Sequence, residues 1–324
     1  MSDTRINLYW GPSHSDYGPA GFLHKALQRL PRVQAYRYEC WGKPELFGKA
    51  DMHLMVDWAE DIAGQGKYAD FLPSAPRAYW VSDTHASPES MAYRVKKAST
   101  CKWIAYNIRN DRNVFDALEQ ESMPKDTPYR WMYPKARSAA WIPYAAEPLL
   151  WAPMPDEKVV YDVGFVGHYG TYDARREFVE AMMDEFGEKA YIEAQKFIED
   201  AVQAMARCKV TLNHCQADST NMRTFELMSM GSCMLHPLTS DLAVLGFKDG
   251  VHLLTYQSIE EAVDKAHWAL AHDEKRQLIG RYAREAILAG HTYVHRAAYF
   301  AGLAGWKGME HEIETAMNTL PKEY

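Results

Sequence analysis

Residues 218–233 read DSTNMRTFELMSMGSC, and they decide how the second half of the chain is organised. The stretch follows the apolar run KVTLNH (209–214) and leads into CMLHP (233–237), so a strand, a short helix and another strand are expected in succession. Ser219, Thr220 or Asn221 can cap the helix. It runs to about Met230, where Gly231 stops it. Core building does not require Asp218, Asn221, Arg223 and Glu226 within nine residues. The start of the helix offers free amides and a partial positive charge, worth about 0.3–1 kcal/mol to an anion. Arg223 can add a charge-assisted hydrogen bond of about 1.5–3 kcal/mol. Glu226, more than a turn beyond Asn221, can reach another part of the same ligand, and a carboxylate suits vicinal hydroxyls. The group therefore fits an anion that also carries hydroxyls. The competing reading is an Arg223/Glu226 ion pair at i,i+3 helical spacing.

Working outward, apolar runs alternate with amphipathic stretches along the whole chain. Strands are expected at 6–10, 34–40, 52–57, 78–83, 103–107 and 139–145, then at 160–167, 190–194, 209–214, 233–237 and 252–256. Helical patterns fall at 19–30, 89–100, 173–186, 196–207, 221–230, 258–271 and 273–289. Such alternation indicates an α/β protein with parallel sheets built from βαβ crossovers. Pro148, Pro153 and Pro155 separate the two series, which suggests two Rossmann-like domains with a hinge near 146–157. The expected division is 1–150, 151–295 and a helical segment 296–324 that extends the second domain or crosses back to the first.

In open α/β sheets, ligands bind beyond the carboxyl ends of the strands. After the first strand comes WGPSHSDYGPAGF, whose Gly11, Gly18 and Gly21 lack GxGxxG spacing, which argues against a dinucleotide-dependent dehydrogenase. VGFVGHYGTYDARREF is a second strand–glycine–helix unit, with Gly167, His168, Tyr169 and Gly170 at the strand end and Arg175 and Arg176 in the next helix. Backbone amides and a positive helix end make it a candidate diphosphate site; an ordinary solvated loop is the alternative.

The length of 324 residues accommodates two domains, and 47% hydrophobic with 24% charged residues is a globular composition. The sequence holds no apolar run near the ~20 residues of a membrane span, and MSDTRINLYWGPS has no secretory pattern, so cytoplasmic residence is expected. The five scattered cysteines form no CxxC pair and indicate neither a disulfide framework nor a zinc site. The net charge of −7 is uneven, because residues 94–137 carry 10 basic and 5 acidic side chains.

The motifs NMRTFELMSMGSCMLHP, FKDGVHLLTY, SIEEAVDKAHWAL, AGHTYVHRAAYF, YDVGFVG and IPYAAEPLLWAP together resemble the CgeB-type glycosyltransferases, relatives of the large group-1 retaining family. The resemblance covers roughly 140–300, with AYWVSDTH the most similar piece of the N-terminal half. It implies the GT-B architecture, two Rossmann-like domains with parallel sheets facing across a cleft. It also implies transfer of a sugar from a nucleoside-diphosphate sugar, with a UDP-sugar the expected donor, to an acceptor hydroxyl. In that family two acids eight positions apart contact the transferred sugar and the nucleotide ribose. Asp218 and Glu226 have this spacing, with Asp in place of the more usual Glu. Asn221 and Arg223 match the family's asparagine and arginine, and Gly167 matches the loop below the diphosphate. His168, Tyr169 and Arg175 complete the expected donor site.

Phosphate charge that develops on bond breaking could be met by amides, by Arg223 and by Arg175 or Lys209, so no metal or other cofactor is expected. On the acceptor side VSDTH places Asp83 and His85 at a strand end, with Asp83 the candidate base. His14, Asp16 and Asp57 compete with them, and loop capping is the bland alternative. In KDTPYRWMYPKAR, Lys125, Arg130, Lys135 and Arg137 interleave with Tyr129, Trp131 and Tyr133, which suits a phosphate backbone and stacking on bases. Asp16, Arg130, Trp131 and Lys135 are the acceptor candidates, and hydroxymethylated pyrimidine in bacteriophage DNA is the candidate acceptor. A solvated loop on an acidic protein explains the same segment, and surface glycans, lipids or proteins stay open as acceptors. A non-catalytic nucleotide-sugar-binding module is the alternative of another class. No obligate protein partner is indicated.

Overall fold

The computed structural model describes residues 3–10, 17–39, 49–56, 76–81, 91, 94–95, 98, 101–111, 114, 139–170, 172–194, 196 and 198–319. The chain divides into two compact units, Met1–Pro143 with Tyr293–Tyr324, and Tyr144–Thr292.

The first unit holds strands β1 (Thr4–Trp10), β2 (Val33–Glu39), β3 (Met52–Val56), β4 (Arg77–Val81), β5 (Trp103–Tyr106) and β6 (Ala139–Trp141). They form a parallel sheet in the order β2-β1-β3-β4-β5-β6. All five residues of β3 are buried, as expected where helices cover both faces of a parallel sheet. One of them is His53, whose Nδ1 lies 2.6 Å from the Tyr9 hydroxyl.

Helix α1 (Pro19–Arg29) starts at a proline, whose missing N–H costs nothing in a first turn, and buries Phe22, Leu23, Ala26 and Leu27. The end of the chain supplies two more helices to this unit, Tyr293–Leu303 and Glu310–Asn318. Tyr293 packs on Phe22, and Tyr293 and Phe300 both pack on Trp80. Trp306 Nε1 donates to the Pro31 carbonyl, and Arg32 pairs with Glu312 at 2.7 Å.

The second unit holds β7 (Tyr161–Val166), β8 (Ala190–Glu193), β9 (Cys208–Leu212), β10 (Cys233–Pro237) and β11 (Leu254–Tyr256). Its helices are α2 (Asp173–Phe186), α3 (Ile198–Ala206), α4 (Met222–Ser229), α5 (Ser240–Val244), α6 (Ile259–Ala271) and α7 (Asp273–Gly290). The two helices near the C-terminus become α8 (Tyr293–Leu303) and α9 (Glu310–Asn318). This sheet is also parallel, in the order β11-β10-β9-β7-β8. The chain runs from β7 outward to β8, then returns past β7 to β9. The order therefore reverses between β7 and β9, and the crevice beyond their carboxyl ends is where such sheets bind ligands. Both sheets confirm the α/β class and two Rossmann-like units.

Candidate functional site

The site is built on α4. Asn221 caps it, its side-chain oxygen accepting from Thr224 N at 3.0 Å while the Thr224 hydroxyl accepts from Asn221 N. A cap of this kind contributes about 1 kcal/mol. At the other end Gly231 takes φ +74, a left-handed conformation that glycine adopts without steric cost. Gly280 of α7 presses its backbone against Gly231 there, and Arg284 Nη1 donates to the Ser229 carbonyl.

The Asn221 amide also exchanges two 3.1 Å hydrogen bonds with Asn213, the residue just beyond β9. Asn213 Nδ2 reaches Thr224 Oγ1, which contacts Nε2 of the fully buried His236 at 2.9 Å. His236 Nδ1 lies 2.6 Å from the Pro237 carbonyl. Nδ1 therefore carries the proton and Nε2 accepts from the Thr224 hydroxyl. Burial lowers the His236 pKa to about 4, which keeps this imidazole neutral. Asn221, expected to touch ligand, is thus bonded within the protein and locks the loop after β9 to the helix start.

Arg223 and Glu226 come together. Arg223 Nε is 3.6 Å from Glu226 Oε2, and its guanidinium carbon lies 5.1 Å from the centre of the Trp151 ring. The Glu226 side chain is 7% exposed; burial raises its pKa, and the Arg223 charge opposes the rise. Arg223 Nη1 is buried and has no hydrogen-bond partner among the described residues. The ion pair read as the alternative in the sequence is therefore present, yet it leaves a guanidinium donor unsatisfied, and such a donor costs about 1–3 kcal/mol until a ligand or water meets it.

Asp218 is exposed, and its Oδ1 accepts from Ser240 N at 2.7 Å. Nearby, Thr220 N donates to the buried Asp241, so the segment 218–220 is tied to the start of α5. Gly167, at φ +155, ends β7, followed by exposed His168 and half-buried Tyr169. Arg175 reaches back from α2 and donates to the His168 and His214 carbonyls, both at 2.9 Å. It clasps the loops after β7 and β9 at the reversal point, so two of its donors serve the protein itself. Burial lowers its pKa.

Lys209 belongs elsewhere. It sits near the amino end of β9, 2.7 Å from Asp162, on the opposite edge of the sheet from these loops. Asp83, His85, Asp16, Arg130, Trp131 and Lys135, with most of the basic and aromatic segment, lie outside the described residues. Gly167, His168, Tyr169, Arg175, Asp218, Asn221, Arg223 and Glu226 all follow the carboxyl ends of β7 or β9. Sequence reasoning missed Asn213, Thr224, His236 and Trp151. Polar Asn213 and His214 closing the apolar run KVTLNH were the available signal; nothing local marks Trp151 as a partner of Arg223. Among the described residues no three His, Cys, Asp or Glu side chains gather as a metal-holding group, and no helix is long and apolar enough to cross a membrane.

Residues 164–302 match the family model described as glycosyl transferase-like, a match that covers most of the second unit and α8. Solved structures add the fold. An alpha-glucosyltransferase in complex with UDP-glucose and DNA containing an abasic site is similar at TM-score 0.69 and 8% identity, over 94% of this chain and 100% of that one. HepE of Anabaena in complex with UDP is similar at TM-score 0.64 and 12% identity, over 93% and 99%. Sucrose-phosphate synthase of Thermosynechococcus elongatus is similar at TM-score 0.58 and 12% identity, over 93% and 98%. The architecture is thus GT-B-like. No protein of curated function matches the sequence.

Proposed function

We propose that this chain is a glycosyltransferase that moves a sugar from a nucleoside-diphosphate sugar, a UDP-sugar, to an acceptor hydroxyl. The observation that carries this reading is the pair of half-buried Arg223 and buried Glu226 at the reversal-point edge of the second unit, with one guanidinium donor unsatisfied among the described residues. Glu226 accepts from the ribose hydroxyls in this reading, and Arg223 Nη1 donates to the diphosphate. The amides after Gly167 lie beside the same phosphates. Asp218, held by Ser240 N, meets the transferred sugar. Cleavage of the sugar–phosphate bond leaves charge on the phosphate, which preorganised donors stabilise without reorganising at that moment.

The acceptor in this proposal is hydroxymethylated pyrimidine in DNA, as in a bacteriophage modification enzyme of CgeB type. Support comes from the basic and aromatic KDTPYRWMYPKAR segment and from the likeness to a glucosyltransferase whose structure contains DNA. Asp83 and His85 are the proposed acceptor-activating groups, with Asp16, Arg130, Trp131 and Lys135 on the acceptor.

The Glu226→Gln variant, with calorimetric UDP titration and thermal melting run side by side, tests the donor reading. Charge-assisted bonds to hydroxyls are worth about 1.5–3 kcal/mol, so UDP affinity should fall by about 10- to 150-fold. Unchanged affinity with a lowered melting temperature would reduce Glu226 to a structural ion pair. Incubation of hydroxymethylated DNA with labelled UDP-sugars, with and without neutralised Lys125, Arg130, Lys135 and Arg137, tests the acceptor. Labelling that survives the neutralisation removes that segment from the mechanism.

A further inference from the structure

His214 stands at the carboxyl end of β9 and has no role in the reading above. Its carbonyl receives Arg175 Nη2, and its ring lies 5.5 Å from that of Phe178 on α2. Its Nδ1 is 3.2 Å from the Tyr256 hydroxyl, and that hydroxyl is 2.8 Å from the Asn213 carbonyl. A carbonyl only accepts, so the tyrosine proton goes to Asn213 O and the tyrosine oxygen accepts from Nδ1–H. The neutral tautomer is thereby set, and Nε2 carries a lone pair. The residue is half-buried, and among the described residues Nε2 has no hydrogen-bond partner. Among the described residues, the titratable groups around the ring are Arg175 from α2, Tyr256 from β11, His236 from β10 and neighbouring Cys215. None of these is a carboxylate. Burial and the Arg175 charge lower the His214 pKa to about 4, so the ring is neutral at neutral pH.

We infer that His214 binds the donor diphosphate through a protonated Nε2, so that binding of the nucleotide sugar takes up one proton from solvent. The inference rests on the donor site proposed above. A lone pair set against a phosphate oxygen is acceptor facing acceptor. A proton between them turns that contact into a charge-assisted hydrogen bond, and the incoming negative charge offsets the Arg175 cation that opposes protonation. No covalent bond forms or breaks on binding. When the sugar departs, the proton already stands beside the phosphate oxygen that gains charge. Linkage gives the sign, because the complex binds a proton that the free protein lacks. Binding therefore strengthens as pH falls, by up to about tenfold per pH unit above the free pKa and below that of the complex.

The test is calorimetric titration with UDP-glucose, whose diphosphate has no titration near neutral pH, in two pH 7 buffers of different ionisation enthalpy. The wild type should take up close to one proton per UDP-glucose. In His214→Asn the amide nitrogen replaces Nδ1 toward Tyr256 and nothing replaces Nε2, so uptake should vanish and the pH dependence of binding flatten. Tyr256→Phe removes the acceptor that imposes the tautomer, which lets neutral imidazole present Nε2–H. Uptake should then fall while affinity stays within a few-fold. Wild-type binding without buffer dependence, or uptake persisting in His214→Asn, overturns the role of His214 and leaves the donor site standing. Absence of any UDP-glucose binding overturns the donor reading, and this inference with it.

Discussion

Gly280→Ala tests whether the packing of α7 sets the position of the candidate donor site. A Cβ at Gly280 would lie 1.9 Å from the Gly231 oxygen and 2.8 Å from its carbonyl carbon. Both are backbone atoms, so no flexible side chain can yield. Restoring an ordinary contact of about 3.4 Å requires the helices to separate by about 1.5 Å. That movement also pulls Arg284 away from the Ser229 carbonyl. Overpacking of this kind costs about 1–3 kcal/mol, and contact with backbone on both counts places it at the upper end. Alanine regains about 1 kcal/mol of helix propensity. The net loss is about 2 kcal/mol, or a fall in melting temperature of about 4–8 °C for a unit of this size. UDP affinity should drop with it, because α4 carries Arg223 and Glu226. The control lies in the same helix. A Cβ at Gly290 meets nothing within 4 Å, so Gly290→Ala should be neutral or raise the melting temperature slightly. Paired melts of the two variants decide the matter. Equal melting temperatures for the wild type and Gly280→Ala would refute the argument.

Loss of the clasp in Arg175→Ala releases two carbonyls and the loops they hold, so UDP-sugar affinity should fall about tenfold in a calorimetric titration. Arg175→Lys, with one nitrogen for two acceptors, should recover only part of it. Thr224→Val removes the hydroxyl shared by Asn221, Asn213 and His236, and chemical denaturation should report a loss of about 1–3 kcal/mol. The pH dependence of stability has a definite sign. His236 is lowered from 6.5 to about 4 in the fold, so its contribution is present above pH 6.5 and is lost as pH falls toward 4. Denaturation curves from pH 7 to 4 should therefore show a steeper decline for the wild type than for His236→Gln, and parallel curves would remove His236 as the cause.

The strands were legible because parallel strands buried on both faces read as short apolar runs, and β3 with its five buried residues is the clear case. Eleven strands are expected from the sequence, and among the described residues eleven stand in the two sheets. Helix α5 escaped notice because five residues are too few to display a helical period. The long helical tail is divided into α8 and α9 around the turn at Gly305, whose φ is +100. The candidate site was legible where its signal is local. Asn221 as a cap and Gly231 as a stop follow from residue chemistry alone, whereas the bonds that Asn221 exchanges with Asn213 come from the fold.

Taken by itself, the sequence determined the α/β class, the order of the elements and the polar cluster that opens α4, since each depends on periodicity and chemistry within a few residues. Tertiary structure alone decided which distant groups complete that cluster. Trp151 comes under Arg223, His236 joins the cap through Thr224, and Arg175 spans 39 residues to the His214 carbonyl. Those contacts depend on the order of β7, β9 and β10 in the sheet, and strand order is set by how whole helices pack across it. No window along the chain contains that information, and so the lowered pKa of His214 and the Arg223 donor without a partner among the described residues emerge only from the fold.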